Sequence, residues 1–185
     1  MMTNIKNYFN KYFSTIKDSL DSVDYCQLDN IAKLIVNAEK TGNKVIIVGN
    51  GGSASIASHV TIDFVNAANI KAINFNESGI ITCFSNDYGY ENWVAKALDC
   101  YANCADIVIL ISSSGKSENM LVAANKAKSI GADIVTLTGF SSDNPLRKLG
   151  GINFWVDSYE YNVVEMTHHI WLLAIVDYII MKNKE

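Results

Sequence analysis

A chain of 185 residues, 49% apolar and 18% charged with a formal net charge of −4, suits one compact domain and not a disordered segment. A single proline, Pro145, and 11 glycines exclude a collagen-like or linker-rich chain, and 15 Lys and Arg against 19 Asp and Glu set an acidic average field, so no nucleic-acid partner is expected. No uninterrupted apolar run reaches the roughly 20 residues of a bilayer span, and the opening Met-Met-Thr-Asn-Ile-Lys-Asn-Tyr lacks a signal-type apolar region, so the expectation is a cytoplasmic protein with no membrane segment.

Ile5, Tyr8, Phe9, Tyr12, Phe13 and Ile16 recur at three- and four-residue steps and predict an amphipathic helix. Leu28, Ile31, Ala32, Leu34, Ile35 and Ala38 predict a second, which Gly42 ends. The period then changes. Residues 44–48 form a β-branched run without alternation, the pattern of a strand buried on both faces of a parallel sheet. Similar runs recur at 105–111, 133–137 and 152–156, with a weaker candidate at 71–74, and helical stretches at 53–67, 77–85, 90–102, 117–130 and 162–182 fill the connections. With right-handed crossovers this succession predicts an α/β fold: an open parallel five-stranded sheet with helices on both faces, forming one domain over 1–185 with a helical extension at 1–42 and its α/β core at 43–185.

Cys26, Cys83, Cys100 and Cys104 do not follow Cys-x-x-Cys spacing and read as buried thiols, with a metal pair at Cys100 and Cys104, on one helical face, as the alternative. Trp93, Trp155 and Trp171 sit in apolar segments and read as core or interface residues. The run Ile170–Val176 is apolar nearly all round a helix, which suggests burial between subunits of a homo-oligomer as well as against the sheet.

In such a sheet ligands bind beyond the carboxyl ends of the strands. Gly49-Asn50-Gly51-Gly52-Ser53-Ala54-Ser55 and Ser112-Ser113-Ser114-Gly115-Lys116-Ser117 follow two of them. Glycines admit close approach of backbone amides, hydroxyls add rotatable donors, and the helix that follows turns its positive end toward an anion. The spacing is neither a Walker loop nor the dinucleotide fingerprint. Either loop alone reads equally as a tight turn with an N-cap, whereas two at the ends of separate strands favour phosphate. Lys116 either pairs with that anion or faces solvent. His59 and Asp63, four apart, share a helical face, and Glu165 precedes His168 and His169 by three and four residues. All three histidines thus lie one turn from a carboxylate, which suits a shared metal ion; exposed histidines beside acids are the alternative.

The segments Gly49–Ala54, His59, Asn86-Asp87-Tyr88-Gly89-Tyr90-Glu91, Ser112–Ser117 and Leu137-Thr138-Gly139 resemble, in that order, the motif series of the sugar isomerase (SIS) domain family in its phosphoheptose isomerase branch. The resemblance runs from about residue 40 to the end, and the two preceding helices are similar to that branch's N-terminal extension. It implies a flavodoxin-like SIS fold and an aldose–ketose isomerase that converts sedoheptulose 7-phosphate to D-glycero-D-manno-heptose 7-phosphate through an enediol, supplying heptose for a bacterial lipopolysaccharide or capsule. It implies that Asn50, Gly51, Gly52 and Ser53 line the substrate site, that Ser53, Ser112, Ser113, Ser114 and Ser117 hold the phosphate, and that Asn50 and Asp87 line the sugar. It also implies zinc on His59, Asp63, Glu165 and His169 (or His168), and a homotetramer whose sites are built from neighbouring subunits. On that basis the base is Asp63 or Glu165, the proton donor His169 or His168, and Asp87 orients the sugar.

Three positions depart from the family's pattern. Asp63 stands where a glutamate is usual, Glu165 where a glutamine ligates the metal, and Leu173 where the second metal histidine falls. A helix advances about 100° per residue, so His169 lies roughly 40° from the direction of Glu165 and is expected to replace that ligand, with His168 turned away. The departures sustain two alternatives: a phosphosugar-binding or protein-interaction module without turnover, and an isomerase of a related sugar phosphate.

Overall fold

β1 (Val45–Gly49) and β3 (Ile107–Ser112) are buried along their whole length, as apolar runs between two helical layers must be. They are the centre of the computed structural model, which describes residues 2–184. Helices α1 (Met2–Asp21) and α2 (Tyr25–Lys40) precede β1; α3 (Gly52–Asn66), β2 (Ala72–Ile73), α4 (Ser78–Tyr88) and α5 (Trp93–Tyr101) lead to β3; α6 (Glu118–Ile130), β4 (Asp133–Thr138), β5 (Ile152–Trp155) and α7 (Tyr161–Lys182) complete the chain. The five strands pair in parallel in the order β2-β1-β3-β4-β5, the fold class expected from the sequence.

Alternation along the strands makes two cores. Val45, Ile47, Ile107, Ile109, Ile111, Val135 and Leu137 face a layer that includes α2, α3 and α7, while Ile46, Val48, Val108, Leu110 and Ile134 face α5 and α6. From β1 the chain goes to one side to form β2 and to the other to form β3, so the strand order reverses between β1 and β3. That switch point is where loops diverge and a ligand crevice opens. At the opposite end, Asp106 is fully buried and accepts bonds from Lys44 N (3.0 Å), Lys44 Nζ (2.6 Å) and Asn103 N (2.7 Å).

Several boundaries shift by a residue or two, as where the strand expected over 105–111 starts at Ile107, and three differences change an element more. The weak strand at 71–74 shortens to Ala72–Ile73; the helix expected over 77–85 runs on to Tyr88, where Gly89 with φ +86° ends it; and the helix expected over 90–102 begins only at Trp93. All four cysteines are exposed, which corrects the expectation of buried thiols. α5 ends at Tyr101, so Cys100 and Cys104 share no helical face. Trp93 and Trp171 are core residues; Trp155 is half-buried under the Arg147 guanidinium, 4.9 Å from the ring centroid.

α7 has the length and apolar composition of a membrane span, a property the search for uninterrupted apolar runs missed. It packs on α1, α2 and α3 and buries residues from Val163 to Ile179 in the core. The indole of Trp171 donates to Leu20 O and the hydroxyl of Tyr178 to Asp29 Oδ1, tying α7 to both N-terminal helices. α1 leaves Ile5, Tyr8, Phe9 and Phe13 exposed in a ridge, where Phe9 meets Tyr8 edge to face and stacks on Phe13.

Candidate active site

The two glycine and serine loops leave the sheet side by side, because Gly49 at the end of β1 is in register with Ile111 in β3. α3 turns back at once. A Cβ on Gly49 would lie 2.7 Å from the Ser53 carbonyl carbon, and Gly51 holds φ +53° and ψ −119°, a backbone state that glycine adopts without strain. The turn places the almost fully buried Ser53 on the first turn of the helix, beside the switch point.

What the hydroxyls do separates the two readings of the serine loop. Asp24 caps α2 and Glu77 caps α4 through their side chains, but neither Gly51 at α3 nor Ser117 at α6 bonds a helix amide with a side chain. Ser117 Oγ instead faces Ser112 Oγ at 3.2 Å, across the loop. Ser113 Oγ is buried without a protein partner, and Ser114 Oγ accepts from Lys116 N at 3.2 Å. Two helix N-termini therefore present their positive ends to one crevice, flanked by hydroxyls that are not spent on capping. Lys116 itself is exposed.

The connection between β4 and β5 braces the loop after β3. Gly115 has φ +62°, and the space of its missing Cβ is filled by Asn144, whose Oδ1 accepts from Arg147 N at 2.9 Å and whose Nδ2 donates to Ser141 O at 2.9 Å. Leu146 N donates to Gly115 O at 3.1 Å, and Gly139 N to Ser113 O at 2.8 Å. The first and second loops are joined through their side chains. Asn50 Nδ2 donates to Asn119 Oδ1 at 3.0 Å, Asn119 Nδ2 returns a bond to Asn50 Oδ1 at 2.8 Å, and Tyr90 OH donates to the same Oδ1 at 3.1 Å. Asn119 escaped the sequence reading because a polar residue in a first helical turn is unremarkable there. Tyr90 stood inside a quoted motif without a role.

α7 brings the remaining candidates to the crevice. The carboxylate of Glu165 lies over Gly52, in the space where a side chain there would begin. Partial burial raises its pKa above the ordinary glutamate value. One turn on, His169 Nε2 lies 2.9 Å from His59 Nδ1, with the rings edge to face, and His59 Nε2 lies 3.4 Å from Asp63 Oδ2. Asp63, His59 and His169 thus form a chain from α3 to α7. Burial, then the neighbouring His59, lowers the pKa of His169, and Asp63 acts in the opposite sense.

His168, the alternative to His169, is turned away as the 100° step requires. It is fully buried, its Nε2 bonded to Thr138 O at 3.0 Å and its pKa lowered to about 4 by desolvation, so it has no access to the crevice. Asp87 sits on the exposed side of α4, where it accepts from Asn86 Nδ2 at 2.8 Å and faces Cys83 Sγ at 3.7 Å; in this segment it is Tyr90 that reaches the loops. Two imidazoles and a carboxylate are donors of the kind zinc takes. Here the two rings bond each other, and among the described residues no three His, Cys, Asp or Glu side chains are arranged to hold an ion.

A profile described as SIS domain matches residues 9–139. Phosphoheptose isomerase of Clostridium acetobutylicum is 36% identical over 134 residues, a match that takes 69% of this chain and 64% of that one, just under two thirds of the relative's length. Phosphoheptose isomerase of Sodalis glossinidius is 33% identical over 141 residues, 73% of each chain. Among solved structures, a phosphoheptose isomerase from Francisella tularensis superposes with a TM-score of 0.87 at 27% identity over 98% of both chains. The one from Neisseria gonorrhoeae gives the same TM-score at 20% identity, a likeness of fold alone.

Proposed function

We propose that this chain, which belongs to the SIS domain family and to its phosphoheptose isomerase branch, isomerises a phosphosugar between ketose and aldose, with sedoheptulose 7-phosphate as substrate and D-glycero-D-manno-heptose 7-phosphate as product. The observation that carries the reading is the joined pair of loops at the β1/β3 switch point, with uncapped helix ends and the Glu165 carboxylate over them.

Isomerisation moves a proton between adjacent carbons through an enediol, so it needs an anchor, a base and a group that protonates oxygen. The hydroxyls of Ser53, Ser112, Ser113, Ser114 and Ser117, with the starts of α3 and α6, hold the phosphate and fix the distance to the reacting carbons. Glu165 removes the proton from the carbon beside the carbonyl and returns it to the neighbouring carbon; its raised pKa makes it a stronger base than an exposed glutamate. His169 gives and recovers the proton on oxygen, held in orientation by His59, which Asp63 in turn orients.

Assembly belongs to the same reading. Ile62 and Val65 on α3 and Met166 and Ile170 on α7 are exposed on the two helices that carry His59 and His169, and α1 adds its aromatic ridge. A homotetramer that covers these side chains would shield the catalytic groups from water. Leu173, in place of the family's second metal histidine, favours a second reading, a phosphosugar-binding module without turnover. Carbon NMR of sedoheptulose 7-phosphate incubated with tag-free protein decides between them. New aldose signals support the isomerase, and unchanged ketose with saturable binding supports the module.

A further inference from the structure

We infer that Asn119 and Tyr90 are positioning residues that fix which hydrogen-bonding face Asn50 offers a sugar; the inference rests on the phosphosugar reading above. Asn119 is 2% exposed, on the first turn of α6, and its amide is committed to Asn50 in both directions. An asparagine amide has two N–H donors and a carbonyl oxygen with two acceptor positions. Asn50 Oδ1 accepts from Asn119 Nδ2 and from Tyr90 OH, which fills both positions, and Asn50 Nδ2 gives one of its hydrogens to Asn119 Oδ1. A single N–H is left. Asn50 therefore meets a ligand only as a donor, and the complementary group is a hydroxyl or carbonyl oxygen of the sugar.

The two partners have separable tasks. Asn119 ties the β1 loop to the start of α6 and so holds the two halves of the phosphate crevice in register. Tyr90 is exposed, comes from the connection between α4 and α5, and adds one bond to Asn50. Its removal returns an acceptor position to Asn50, whose side chain then no longer meets a ligand only as a donor, without disturbing the serines.

The test is calorimetric titration of the full-length wild-type chain, Tyr90→Phe and Asn119→Asp with two probes, sedoheptulose 7-phosphate and inorganic phosphate, with a thermal melt of each protein. Tyr90→Phe is expected to keep its melting temperature and its inorganic phosphate affinity, and to bind the sugar phosphate about fivefold more weakly, the scale of one hydrogen bond. Asn119→Asp still accepts from Asn50 but no longer donates to it, and is expected to weaken both probes. Equal sugar phosphate affinity in wild type and Tyr90→Phe, or a loss shared equally by inorganic phosphate, overturns the inference and leaves the phosphosugar reading standing. A wild-type chain that binds neither probe overturns both.

Discussion

The carboxylate of Glu165, on α7, fills the space in which a side chain on Gly52 would begin, at the first residue of α3. Gly52→Ala therefore pushes aside the end of a flexible side chain. The expected cost in stability is below about 1 kcal/mol, while turnover falls at least about tenfold because the base is displaced. Gly49→Ala is the contrasting case, since its Cβ meets the Ser53 backbone at 2.7 Å, which has nowhere to go. It is expected to lose about 2 kcal/mol of stability or more. Thermal melts and activity measured on the two variants side by side check the distinction.

Acid sensitivity should come in part from His168. Its pKa is about 4 in the fold against the ordinary histidine value of 6.5, so the unfolded chain binds the extra proton first. The contribution is complete above pH 6.5 and is lost progressively as pH falls toward 4, reaching about 3 kcal/mol. Chemical denaturation between pH 7 and 5 is expected to show stability falling with pH, with a shallower slope in His168→Gln.

At the other end of the sheet, Asp106 has no exposure and accepts three N–H bonds, two of them from Lys44. Asp106→Ala leaves these donors unpaired and is expected to destabilise by about 3–5 kcal/mol. Loss of the Lys44 charge alone, as Lys44→Met, should cost less, because the Lys44 backbone N–H and the Asn103 N–H still reach the carboxylate. Urea titrations of both variants give the comparison.

The ridge of α1 and the exposed apolar side chains of α3 and α7 predict assembly. Phe9→Asp together with Phe13→Asp is expected to shift sedimentation velocity profiles from the proposed tetramer toward smaller species, with helical content retained. A wild-type protein that sediments as a monomer would contradict the assembly.

The sheet was legible because its three inner strands, β1, β3 and β4, are apolar runs rich in Val and Ile, which have one stable environment, between two helical layers. The crevice was legible for the same reason: glycines and serines directly after such runs mark the switch point. Side-chain direction was less accessible. His169 could be placed on the side of α7 that carries Glu165 from the 100° step, but the burial of His168 depends on Thr138 O in β4. Asn119 and Tyr90 join Asn50 across 69 and 40 residues of chain, and local patterning carries no trace of such pairings. The cysteines misled because their apolar character predicts burial only on average, and these four lie on outer turns and a loop.

The central claim is that the loops after β1 and β3 grip one phosphate together. Calorimetric titration of wild type, Ser53→Ala and Ser112→Ala with sedoheptulose 7-phosphate tests it most directly. The account predicts one site per chain in the wild type and at least about tenfold weaker binding in each variant, since each removes a hydroxyl from a different loop. Undiminished affinity in both variants would contradict it.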